Sequence, residues 1–155
     1  MKKIISLSVS VFLLVISLAC SDDDDNSSSP SNNNQTIEEI KKEVMSGTWR
    51  ITYFFDTDSD ETSNFNGYNF TFGSNSILTA TNGGNTNVGA WSVTDSNSGD
   101  DSPDDIDFNI VFAGPPDFAE LSEDWHILEH TDTKLRLTHV SGGNGGTDYL
   151  TFEKN

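Results

Sequence analysis

At 155 residues, the chain has room for a single folded domain once a leader and a polar stretch are set aside. Its formal charge of −17 excludes nucleic acid as a natural partner, because phosphates would be repelled and the few Lys and Arg residues form no basic cluster. With one cysteine there is no intramolecular disulfide, and the domain must close its core by packing alone.

Lys2 and Lys3 form a positive N-terminal region, and the uncharged run Ile4 to Leu18 is too short to span a bilayer comfortably. Residues 1–19 therefore read as a signal peptide, whose removal makes the remainder two charges more negative. Ser17-Leu18-Ala19-Cys20 resembles the lipobox of bacterial lipoproteins, with Ser17 where leucine is usual. That resemblance implies that Cys20 is acylated and becomes the mature N-terminus. Ser21-Asp22-Asp23-Asp24-Asp25 resembles the serine-plus-acid export tag of surface lipoproteins in one Gram-negative phylum. It implies a lipid-anchored protein of the outer membrane on the cell surface. The periplasmic face is the alternative, with the aspartates serving only as a solvated run. Beyond the cysteine, residues 20–35 contain no apolar side chain and read as a disordered tether, about 20 Å long on average as a flexible coil.

The domain is expected over residues 36–155. Thr36-Ile37-Glu38-Glu39 has the form of a capping box, and Ile37, Ile40, Val44 and Met45 follow on one helical face until Gly47 stops the helix. From Trp49 the period becomes two, with Trp49, Ile51, Tyr53 and Phe55 alternating against Thr48, Arg50 and Thr52 until Phe54 interrupts. Seven more strand-like runs follow: Tyr68 to Phe72, Ser76 to Thr81, Val88 to Thr94, Ile106 to Phe112, Trp125 to His130, Lys134 to Val140 and Tyr149 to Glu153. Turns such as Asn82-Gly83-Gly84-Asn85 and the glycine-rich stretch 141–146 are too short for helical crossovers, so neighbouring strands are antiparallel. A meander that closes on itself buries one face and removes the edges. Three connections are long, 56–67, 95–105 and 113–124, and long loops are frequent carriers of function.

Ser46-Gly47-Thr48-Trp49 after a short helix resembles the G-x-W opening of bacterial lipocalin-like domains. Trp125-x-Ile127, Lys134 to His139 and Thr147 to Lys154 look like the closing strands of that family. The resemblance implies an all-β fold: a small antiparallel meander barrel of about eight strands, preceded by one short N-terminal helix. Thr147-Asp148-Tyr149 spells a second lipocalin motif, but too little chain follows for the elements that motif introduces, and it reads as coincidence.

In such a barrel Trp49, Phe70, Phe72, Trp91, Phe108 and Phe112, with Trp125 beside them, face the interior. There they either fill a solid core or wall a cavity for a small apolar ligand. Phe65, Tyr68 and Phe118 lie in or beside long loops, where they stack on a glycan or partner surface or else anchor the loops. Asp56, Asp58 and Asp60 begin a calcium-loop pattern that fails where Glu61 replaces the required glycine and Gly67 the closing glutamate. Asp100, Asp101, Asp104 and Asp105 read likewise as a solvated acidic loop. A hairpin centred on Asp132-Thr133 would pair His126 with His139 and leave Trp125 outside, whereas a bulge near Glu129 turns Trp125 and Ile127 inward and separates the histidines, His130 included. The bulge is preferred, and no metal site is expected.

No nucleophile elbow, zinc-protease helix or phosphate-binding loop is present. The expectation is a non-catalytic, monomeric lipoprotein without cofactor, held to the membrane by Cys20 and presenting a lipocalin-like module for a small apolar ligand. The alternative is a glycan-binding or interaction protein that uses Phe65 and Phe118. Replacing Cys20 by Ala leaves the leader uncleaved or the product soluble in fractionation with mass analysis; unchanged mass and lipid partitioning would refute the anchor.

Overall fold

The computed structural model describes residues 32–96, 105–141 and 145–155. Cys20, the tag Ser21, Asp22, Asp23, Asp24 and Asp25, and the acids Asp100, Asp101 and Asp104 lie outside the described residues.

Helix α1 spans Asn32–Val44. It begins four residues before the capping box, so Thr36 sits inside the helix and its first turn takes the last residues assigned to the tether. A tertiary contact sets this start: buried Asn33 donates from Nδ2 to Asp95 Oδ2 at 3.2 Å. Ile37, Ile40 and Val44 are buried as the period predicts, while Met45 falls past the helix end and is exposed. Gly47, at φ +83°, turns the chain into the first strand, a conformation that only glycine adopts without strain.

The strands follow as β1 Trp49–Asp56, β2 Ser59–Asp60, β3 Asn69–Phe72, β4 Ile77–Asn82, β5 Asn85–Asp95, β6 Ile106–Val111, β7 Asp124–His130, β8 Lys134–Val140 and β9 Thr147–Lys154. All eight expected runs are strands. The two-residue β2, a 3-10 turn at Thr62–Phe65 and a short helix α2 at Pro116–Ala119 give structure to two of the connections read as long loops. β2 pairs antiparallel with β1 alone, the other strands each pair antiparallel with their neighbours, and β1 pairs with β9, which closes an eight-stranded barrel. Closure on the other side of β1 is narrow: β1 meets β3 at the single pair Trp49 and Phe70. Beyond it, the free edge of β1 is covered locally. Phe54 N–H donates to Thr62 Oγ1 at 2.9 Å, and the Phe54 carbonyl accepts from Glu61 N–H at 2.9 Å.

Two bulges set which side chains point inward. In β1 the register with β9 slips between Ile51 and Tyr53, so Trp49, Ile51 and Phe54 are buried while Tyr53 and Phe55 turn outward. The expected alternation through Tyr53 and Phe55 is thereby corrected, and Phe54 was the residue that marked the break. In β7 the slip falls between Ile127 and Glu129, so that exposed Leu128 bulges, Trp125 and Ile127 pack inward, and His126 pairs with Thr138 rather than His139.

Trp49, Phe70, Phe72, Trp91, Phe108 and Phe112 are all buried in one core with Trp125, Leu137, Leu150 and Phe152. Phe72 sits among Trp91, Phe108 and Phe152 with ring centroids 5.4, 5.6 and 5.5 Å away, each edge to face. Replacing Phe72 by Ala should cost about 3–5 kcal/mol in denaturant unfolding, since three rings lose their common neighbour. A loss under about 1 kcal/mol would mean that the centre is loosely filled.

Candidate functional site

The strand directions put α1, the β3–β4 turn and the end of β9 at one end of the barrel. The other end gathers the end of β1, the 3-10 turn, α2, the start of β7, the end of β8 and the start of β9. Indole N–H groups fasten both ends. Trp49 Nε1 donates to the Val44 carbonyl at 2.8 Å beneath α1, and Trp125 Nε1 donates to the Leu121 carbonyl at 3.1 Å beneath the α2 segment.

The loop aromatics are not displayed. Phe65 and Phe118 are 1% and 3% exposed, and their rings meet edge to face at 5.3 Å. Phe118 also lies 5.1 Å from Tyr68, 6.1 Å from Phe70 and 5.1 Å from Phe112. These residues form a lid over the barrel end, which corrects the reading that Phe65 and Phe118 offer faces to a glycan. The apolar area they bury in the core outweighs exposure in a loop. At the opposite end, a shallow recess of about 160 Å³ lies between α1 and β6–β7, lined by Ile40, Ile106, Ile127 and Leu128. A cleft of about 430 Å³ runs beside α1, lined by Glu38 and Lys41 of the helix and by Ser74, Ser76, Trp91, Ser92 and Thr94 among the barrel residues.

Aromatic surface appears instead on the outer wall. The β1 bulge turns out Tyr53 and Phe55, whose rings stack at 6.4 Å with 13° between their planes. Tyr149 on β9 is the cross-strand partner of Phe55, and Tyr53 and Tyr149 are 41% and 39% exposed. Thr151 pairs with both Tyr53 and Arg136, which adds a hydroxyl and a guanidinium to the same row.

The calcium-loop aspartates do not converge. Asp60 Oδ1 accepts from Thr62 N–H at 3.0 Å, while Asp56 faces Asp148. The histidines are also distributed. His130 Nδ1 is 2.9 Å from Glu43 on α1, and His126 Nδ1 is 3.3 Å from Asp107. His139 stands among three acids at the lidded end, 3.5 Å from Glu123, 3.5 Å from Asp124 and 3.4 Å from Asp148. Asp148 is itself buried and accepts from Thr57 N–H at 2.7 Å. Glu123, Asp124 and Asp148 had no place in the expected site. Glu123-Asp124 lies one bulged hairpin before His139, so the register of β7 with β8 is what would have found them.

The comparisons with known proteins identify no family. No protein-family model matches the chain, and no curated protein matches it. Among solved structures it is similar to the crystal structure of a DUF4847 family protein from Bacteroides vulgatus, with a TM-score of 0.48 and 18% identity. That likeness covers 75% of this chain and 97% of the other.

Burial holds the carboxyls of Asp56, Asp107 and Glu120 above the usual range. Neighbouring acids add to this: Asp148 and Glu61 beside Asp56, Asp124 beside Asp107, and Asp56, Glu61 and Asp117 beside Glu120. His126 pulls Asp107 the other way. Asp60 is held below its usual value by its hydrogen bonds from Thr62. A raised carboxyl takes up its proton more readily in the folded than in the unfolded chain, so folding stability rises as pH falls through the raised values. The gain is complete near the unfolded value of about 4, below which Asp60 opposes it. With chelator present, the Tm should therefore increase as the pH is lowered from neutral toward about 4, and less so in Asp107→Asn. A Tm that falls throughout this interval would contradict the assignment.

Proposed function

We propose that this chain is a lipid-anchored lipoprotein of the bacterial cell envelope whose barrel is a non-catalytic binding module, and that it binds carbohydrate on its outer wall. Membrane attachment rests on the leader, Cys20 and the acidic tag, and the cell surface is the face that the tag favours. A monomer is sufficient for this role, since each barrel carries its own binding surface.

The observation that carries the ligand class is the aromatic wall on which the Tyr53 and Phe55 rings stack and Tyr149 is the cross-strand partner of Phe55. Sugar rings present C–H faces that pack on flat aromatic surfaces, and their hydroxyls need polar partners at the margin. Two stacked rings with a third opposite, edged by Thr151 and Arg136, supply both. An apolar guest inside the barrel, which the lipocalin resemblance implies, has less support. Trp49, Phe70, Phe72, Trp91, Phe108 and Phe112 are packed with one another and their neighbours, and both ends are covered. A second reading has one observation in its favour: the cleft beside Trp91, at about 430 Å³, is large enough for a small polar ligand and offers four hydroxyls with Glu38 and Lys41.

Screening the protein on a glycan array and then titrating the best hit should give saturable binding. The double variant Tyr53→Ala/Tyr149→Ala should weaken it at least about tenfold with the β-sheet circular dichroism unchanged, which corresponds to losing about 1.4 kcal/mol. No saturable hit, or a hit indifferent to this variant but lost in Ser76→Trp across the cleft, would overturn the aromatic wall as the site.

A further inference from the structure

We propose that Glu123, Asp124 and His139 form a binding site for one divalent transition-metal cation, with Asp148 orienting the imidazole from behind. His139 is on β8, Asp124 opens β7, and Glu123 lies in the bend just before it. Consecutive residues in a regular strand point to opposite faces, and the bend is what lets Glu123 and Asp124 turn to the same side. His139 Nε2 lies 3.5 Å from Glu123 Oε2 and 3.5 Å from Asp124 Oδ1, and the three donor atoms are all within 4.8 Å of one another. Donors about 2.0–2.2 Å from a tetrahedral ion stand roughly 3.4 Å apart, so these positions need only a small closing movement. Both carboxylates have the freedom to make it, because neither side chain is buried.

The protons of the imidazole strengthen the case. A neutral ring has one N–H, yet both of its nitrogens face carboxylates. Asp148 accounts for Nδ1 at 3.4 Å, and it is itself fixed by the backbone N–H of Thr57 at 2.7 Å. With the N–H on Nδ1, the Nε2 lone pair converges with two carboxylate oxygens, and three acceptors meeting at one point call for a cation. A carboxylate behind a ligating imidazole is the usual way in which proteins fix the tautomer and strengthen the ligand. The Trp125 ring, edge on to His139 at 6.1 Å, holds the other side of the imidazole. One imidazole with two carboxylates suits zinc and its first-row neighbours better than calcium, which prefers an all-oxygen shell. The fourth position opens to solvent past Asp124, whose side chain is 69% exposed. Bound there, the ion would pin the β6–β7 connection, which carries the Phe118 lid, to β8.

The test uses the full chain, purified in detergent, stripped with chelator and titrated with zinc chloride by calorimetry. One equivalent should bind with a dissociation constant in the micromolar range or tighter, raise the Tm and change tryptophan emission through Trp125. Asp148→Asn should weaken binding about 10- to 100-fold although it touches no metal. Asp124→Asn, at an exposed position, should weaken it at least about tenfold even if His139→Gln fails to fold. His126→Gln should bind as the parent does. No saturable heat would overturn the proposal. Binding that survives Asp124→Asn and Asp148→Asn would overturn it as adventitious attachment to surface acids, and calcium competing on equal terms would overturn the metal class.

Discussion

Closure of this barrel depends on Trp49. It is the one position at which β1 pairs with β3, through Phe70, while on its other side it pairs with Lys154 of β9. Its indole N–H supplies the partner for the last carbonyl of α1, and Lys154 Nζ rests 4.9 Å above its ring. Helix, first strand and last strand are therefore joined through a single fully buried side chain. Asn155 reinforces the seam by donating to Asn69 Oδ1 at 2.8 Å and to Thr48 Oγ1 at 3.2 Å.

From that seam the interior follows. Rings packed edge to face leave little room for a guest, and the elements at both ends face inward to cover the core. The β1 bulge decides what the outer surface displays. Without the extra residue, Tyr53 and Phe55 would have continued inward from Trp49 and Ile51. With it, two aromatic rings are moved to the wall, and Phe54 takes their place inside.

The sequence made the strands legible because period two, turn glycines and β-branched or aromatic residues agreed over each run. Phe54 and the Trp125–Ile127 pair even marked the two bulges. The start of α1 was hidden because it is set by Asn33 reaching Asp95, a contact across 62 residues, and local capping chemistry pointed to Thr36 instead. Burial of Phe65 and Phe118 was hidden for a similar reason: each is covered by the other and by strands distant in sequence. The grouping of His139 with Glu123, Asp124 and Asp148 depends on register across two hairpins, which local spacing does not encode.

The start of α1 also gives the barrel two unlike poles. Asn33 is fastened beside the end of β5, so the described chain begins at the end of the barrel that α1 covers. The pole carrying Thr57, Phe118 and His139 lies at the opposite end of the barrel from that first helical turn, and the Tyr53–Tyr149 wall rises toward it.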